Sequence, residues 1–140
     1  MSLRLSDIYR TPGHTEILYA LLKERKPSMN INHKRLPSFQ VHRAFVRKKP
    51  YAGWYFIRDG EKIAGSVLLD DRAGSNEIGV FIFKKFRRKG YATKAVKLLM
   101  HKFKKAKSFT CFISPKNKRS IVFFEGMGFK HIQNTYEYKR

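Results

Sequence analysis

Basic residues, a glycine and a small residue follow one another at Arg87-Arg88-Lys89-Gly90-Tyr91-Ala92, between an apolar run that reads as a strand and a segment of helical periodicity. Strand, glycine turn and helix start, in that order, form an arrangement that holds phosphate. The N–H groups of a first helical turn lack intrahelical acceptors, and the helix dipole places partial positive charge where they point. Gly90 permits a close backbone approach or a positive φ, Ala92 leaves that approach unobstructed, and Arg87, Arg88 and Lys89 add full charges. The segment predicts a pyrophosphate-bearing ligand held by Arg87, Arg88, Lys89, Gly90, Tyr91, Ala92 and Thr93. The plainer alternative is a surface turn ahead of a lysine-rich helix. A nucleotide P-loop is excluded, because Gly-x4-Gly-Lys-Ser/Thr is absent, and so is a three-glycine dinucleotide fingerprint.

Other reactive side chains are sparser. The histidines His14, His33, His42, His101 and His131 show no metal-ligand spacing, and no metal is expected. His33 and His42 are open to orienting a substrate, or are ordinary surface or half-buried histidines. Tyr51, Trp54 and Tyr55 could stack on a nucleobase or sugar; such a cluster more often belongs to a core. The single cysteine, Cys111, lies in an apolar run, excludes an intramolecular disulfide framework and reads as a buried structural thiol of a reducing cytoplasm.

The 140 residues carry 31 Lys+Arg against 10 Asp+Glu, a net charge of +21 spread along the chain. Such a field attracts polyanions and repels cations. It disfavours polyamines, aminoglycosides and lysine-rich peptides as partners and favours nucleotide-linked sugars, nucleic acid or acidic proteins; heavy lysine use for solubility is the alternative. Hydrophobic content of 42% argues for a packed domain, expected to be one unit over 1–140. No apolar run of about 18 residues exists, so no membrane partner is expected, and residues 1–10 do not read as a secretory signal.

The elements that must position the turn follow from periodicity. Helices are expected over 16–26, ending at Pro27, and over 38–46, with 28–35 as loop. Strands are expected over 51–58 and 62–69, joined by the hairpin turn Asp59-Gly60, and over 77–83. A helix over 92–105 buries Ala92, Ala95, Val96, Leu99 and Phe103; a strand follows at 108–113, a helix over 121–127 opened by Asn117, and one or two strands over 129–138. The strand-helix-strand unit across 77–113 implies a parallel pair, hence an α+β domain with a central mixed sheet flanked by helices in three layers.

Arg87-x-x-Gly90-x-Ala92 resembles the Gln/Arg-x-x-Gly-x-Gly/Ala motif of the GNAT superfamily of acyl-CoA-dependent N-acetyltransferases. Downstream, Asn117-x-x-Ser120-x-x-Phe123-Phe124-x-x-x-Gly128-Phe129 is similar to that family's late helix and closing glycine-aromatic pair, and the likeness runs over roughly residues 51–138. The resemblance implies a splayed sheet with acetyl-CoA in the gap, its pantetheine arm along the backbone of Val80, Phe81 and Ile82 and near Asn117, its pyrophosphate on the turn. It implies a small-molecule amine acceptor, expected from charge to be anionic, such as a nucleotide-linked amino sugar. A nucleic-acid-binding domain of the same fold and a protein N-acetyltransferase are the alternatives. Glu77 is the candidate general base, since the acceptor amine must lose a proton. Family members place a glutamate one residue earlier, where this chain has Asn76; in a regular strand that changes the face, and a bulge would restore it. A strand-end acid paired with a lysine is the other reading of Glu77. Phe124 occupies the place of a tyrosine that many members use to protonate the thiolate; Ser120, Tyr136, Tyr138 or water would have to serve. The C-terminal strands leave monomer and homodimer both open.

Overall fold

The computed structural model describes residues 2–25 and 35–140. Four strands, β1 (Leu3–Asp7), β2 (Gly53–Asp59), β3 (Lys62–Asp70) and β4 (Glu77–Ile82), form an antiparallel sheet in the order β1-β2-β3-β4. Helices α1 (His14–Lys23) and α2 (Phe39–Arg47) cover one face; α3 (Tyr91–Lys102) and α4 (Lys118–Gly126) cover the other. Alternation along each strand builds both cores at once. Ile57, Val67, Leu69 and Ile78 pack with Ala95, Val96, Leu99 and Phe124, while Trp54, Phe56 and Leu68 pack with Ile8, Leu18 and Val46. Each large apolar side chain so buried contributes about 1.5–3 kcal/mol.

Local chemistry explains where these elements begin. Ser38 Oγ accepts the Val41 N–H at 3.2 Å and caps α2. Asn117 Oδ1 accepts the Ser120 N–H at 3.2 Å and caps α4. Asp59 pairs with Lys62 across a two-residue hairpin in which Gly60 takes φ 62°.

The structure corrects several expectations. Leu3–Asp7, for which the sequence suggested no element, is the edge strand β1, aligned from Leu3↔Asp59 to Asp7↔Tyr55. α1 starts two residues earlier than expected, behind Gly13 at φ 73°, and ends at Lys23; Pro27, His33 and most of the expected 28–35 loop lie outside the described residues. The 108–113 strand contracts to one parallel bridge, Glu77↔Thr110, which is what remains of the mixed sheet's parallel pair. Residues 129–138 form no strand, and Ile132, Tyr136 and Tyr138 are 81–89% exposed. Among the described residues, no strand pairs with this segment. No described helix is long and apolar enough to cross a membrane.

Gly65 shows how closely β3 and β4 approach. A Cβ at Gly65 would overlap the Phe81 carbonyl oxygen and stand 2.9 Å from Ile82 Cα, both backbone atoms that cannot swing aside. Gly65→Ala should therefore lower unfolding free energy by roughly 1–3 kcal/mol in urea titration. An unchanged midpoint would contradict that packing.

Candidate functional site

The turn before α3 is built from two left-handed residues. After a short 3-10 segment, Lys84–Phe86, the chain is extended at Arg87; Arg88 takes φ 64° and Gly90 takes φ 81° as the N-cap of α3. A Cβ on Gly90 would meet nothing within 4 Å, so the positive φ, not crowding, is what favours glycine there. No side chain caps the helix, and Lys94 N–H→Gly90 O at 3.3 Å is the first intrahelical bond, so the amides of Tyr91, Ala92 and Thr93 have no helical acceptor. Arg88 and Lys89 are exposed and Arg87 half-exposed around them.

Tyr91 anchors this turn. Its ring is buried edge-on to Phe86 at 5.8 Å, and its hydroxyl donates to Asp59 Oδ2 at 2.6 Å, tying the α3 start to the β2–β3 hairpin. That hydrogen bond is the main reason the Asp59 carboxyl sits below, and the Tyr91 phenol above, its ordinary pKa. The contribution of Tyr91 is thus split: side chain to the core, amide to the turn.

The second donor set lies on β4. Ile78 N–H donates to Thr110 O at 2.7 Å and Thr110 N–H to Asn76 O at 2.8 Å, after which no backbone bond joins residues 111–113 to β4 among the described residues. On the other side, Phe83 N–H donates to Ala64 O at 2.9 Å. Antiparallel alternation from these fixed points turns the Phe81 amide toward Ser66 on β3, while the amides of Val80 and Ile82 face the widening gap. Of Val80, Phe81 and Ile82, the first and last turn their amides toward that gap and Phe81 does not.

Glu77 stands at the start of the same strand. The β3–β4 register runs unbroken from Asp70↔Glu77 to Gly65↔Ile82, so no bulge intervenes, and Glu77 shares its face with Phe81, the face covered by α1 and α2. Asn76, one residue earlier, donates its side-chain amide to Ser108 O at 3.2 Å instead. Glu77 is half-buried; burial above all, and then Asp70, raise its pKa, with Arg72 opposing. Arg72 forks onto Asp70, Nε to Oδ1 at 3.0 Å and Nη2 to Oδ2 at 2.9 Å, and lies 5.4 Å from the Tyr51 ring centre. Tyr51 meets Trp54 edge-on at 4.6 Å, and burial pushes its phenol up to about 12. Arg25 stacks 4.0 Å over Phe81, with burial lowering its guanidinium to about 10, still charged at neutral pH. The Trp54 indole N–H is buried without a partner among the described residues. Tyr51 and Trp54 were stacking candidates from sequence. Arg25 and Arg72 were not, because nothing in a chain with 31 basic residues distinguishes those two.

The remaining candidates each make local structural contacts. Asn117 spends its carbonyl on the α4 cap. Phe124 is buried between Phe123 at 4.9 Å and Phe129 at 5.1 Å, deep in the α3–α4 core. His42 is buried with Nε2 3.1 Å from Thr15 O, a tie between α2 and α1, and His14 bonds Thr11 O. Cys111 is half-buried, its thiol pushed up to about 11 by burial, which makes it a poor nucleophile. Among the described residues no group of three His, Cys, Asp or Glu could hold a metal.

This arrangement has known counterparts. A domain from Methanocaldococcus jannaschii DSM 2661 superimposes with a TM-score of 0.81 at 22% identity, over 97% of this chain and 93% of that one. An acetyltransferase from Thermus thermophilus does so with 0.76 at 15% identity, over 96% and 90%. The Microcin C7 self immunity acetyltransferase MccE, solved with acetyl-CoA and AMP, gives 0.67 at 22% identity, over 91% and 78%. No curated protein matches the chain. The model of the acetyltransferase (GNAT) domain matches residues 6–130, nearly the whole length, and with it the turn, the open β4 edge and both helical layers. The chain belongs to the GNAT acetyltransferase family.

Proposed function

We propose that the protein transfers an acetyl group from acetyl-CoA directly to the amine of an anionic small molecule, such as an amino sugar carried on a nucleotide. The observation that carries this reading is the presence of two unclaimed donor sets on adjoining elements: the Val80 and Ile82 amides on the open edge of β4, and the Tyr91, Ala92 and Thr93 amides at the α3 start. They fit acetyl-CoA, whose amide-bearing arm needs strand-like partners and whose pyrophosphate needs oriented N–H groups and cations. Arg87, Arg88, Lys89 and Gly90 complete the phosphate side, and Asn117, the cap of α4, is assigned to the pantetheine arm from the family resemblance.

Acetyl-CoA, when bound, supplies the acetyl group as an activated thioester. The fixed dipole of a β4 amide favours negative charge developing on a carbonyl oxygen held against it. Glu77, half-buried on the α1–α2 face, takes the proton of the acceptor amine. Holding amine and thioester together supplies much of the rate, and no covalent enzyme intermediate is required, in keeping with the unreactive Cys111. Phe124 has no proton to give, so water returns one to the departing thiolate. Arg25 and Arg72, braced on Phe81 and Asp70 beside Tyr51 and Trp54, support an acceptor with negative charge and a flat or sugar-like group. The net charge of +21 supports the same class.

Glu77 is a base only when ionised. Its raised pKa therefore displaces the acid limb of kcat/KM upward from the ordinary glutamate value, with the rate climbing as pH rises through it. Glu77→Gln should abolish that limb and lower kcat/KM by about 10²–10⁴-fold while leaving acetyl-CoA binding intact. A variant with wild-type rate and pH profile would remove Glu77 from the role. Gly90→Glu places a carboxylate where the turn offers positive potential; calorimetry should show acetyl-CoA affinity reduced by about tenfold or more, with the fold retained by circular dichroism. Equal affinity would mean that the ligand's phosphates sit elsewhere.

A further inference from the structure

A cleft of about 590 Å³ runs along β1, at the opposite edge of the sheet from β4. Arg4, Arg10, Arg58 and Lys102 line it against a single carboxylate, Asp7, whose Oδ1 already accepts the Tyr9 N–H at 2.9 Å. None of the four cations forms an ion pair among the described residues. Arg58 is braced: Nε donates to Ser6 Oγ at 2.8 Å and Nη2 to Thr11 Oγ1 at 3.0 Å, which holds the guanidinium in place and leaves Nη1 uncommitted among the described residues. Lys102 reaches over the Tyr55 ring at 5.2 Å, on the face of Asp7, while Arg4, Ser6 and Arg58 share the other face of the sheet, so the cleft wraps around the β1 edge.

We propose that this cleft is a second anion site, separate from the α3 turn, that takes the phosphodiester backbone of a single-stranded nucleic acid. Cations along an exposed edge also discourage strand pairing with other chains. Solvent-pointing lysines would achieve that; an arginine braced by two hydroxyls inside a cavity answers to a ligand with several acceptor oxygens. The charge is strung out: Arg4 lies near one end of β1, about 10 Å along the strand from Asp7, and Arg10 lies just past the other end. That spacing suits repeated phosphates better than one compact anion. A strip of cations of this kind tracks the backbone of a single strand. The inference rests on the β1 edge alone and stands apart from the acceptor proposed above.

The test is fluorescence anisotropy with a labelled 12-nucleotide oligouridine, without acetyl-CoA, over a range of salt. Arg4→Gln/Arg10→Gln/Lys102→Gln removes three cations from the cleft and leaves the braced Arg58. Lys97→Gln/Arg119→Gln/Lys130→Gln removes three exposed cations elsewhere. The cleft variant should bind about 10–100-fold more weakly near 0.1 M salt, with a log–log salt slope shallower by about 2, while the control stays near wild type. Thermal melting and acetyl-CoA binding should be unchanged in both. Equal losses in the two variants would reduce the effect to overall charge, and equally tight competition by free uridine monophosphate would mean a compact phosphate ligand; either result overturns the proposal.

Discussion

Backbone hydrogen bonding runs out along the outer edge of β4, and the site depends on that. Toward β3 the strand is fully paired, and Gly65 lets the two backbones come so close that no side chain fits between them. Toward the C-terminal half, the chain returns only as far as Thr110, makes one parallel bridge, and departs. Backbone donors within a fold rarely go without partners, so amides left facing a gap are what the proposed ligand arm would pair with. The strand's own alternation then decides which amides these are, Val80 and Ile82.

The other half of the site is positioned by a side chain that does no chemistry. Tyr91 fills the core beneath α3 and reaches the hairpin carboxylate Asp59, so the first turn of the helix is held against the sheet while its amides stay uncapped. Gly90 and Arg88 in left-handed conformations bring the chain into that turn. A carboxylate on β4 and a guanidinium fork on Asp70 lie on the opposite face, under α1 and α2. The sheet therefore separates the phosphate turn and its α3–α4 core from the groups read as serving the acceptor.

Much of this was legible in the chain, for physical reasons particular to each segment. Gly90 ahead of an apolar helical stripe, Asp59-Gly60 between alternating runs, and Ser38 and Asn117 before helices are local signals, and each produced the element expected of it. Elements that depend on distant partners were not legible. Leu3–Asp7 is five residues long and becomes a strand because β2 offers an edge. Residues 108–113 and 129–138 have strand-like composition, yet pairing is decided by neighbours and not by composition. Arg25 and Arg72 also come against Phe81 and Tyr51, ring contacts between residues far apart in the chain that no spacing in the sequence encodes. Glu77 was identified by type, and its face followed only from an unbroken register.

The most direct test of the account is an amide-resolved NMR titration of the isotope-labelled protein with coenzyme A. The account predicts that the largest shifts fall on the amides of Val80, Ile82, Gly90, Tyr91, Ala92 and Thr93, with Phe81, bonded to β3, moving less. Saturable binding that leaves those amides unmoved while shifting others would contradict it.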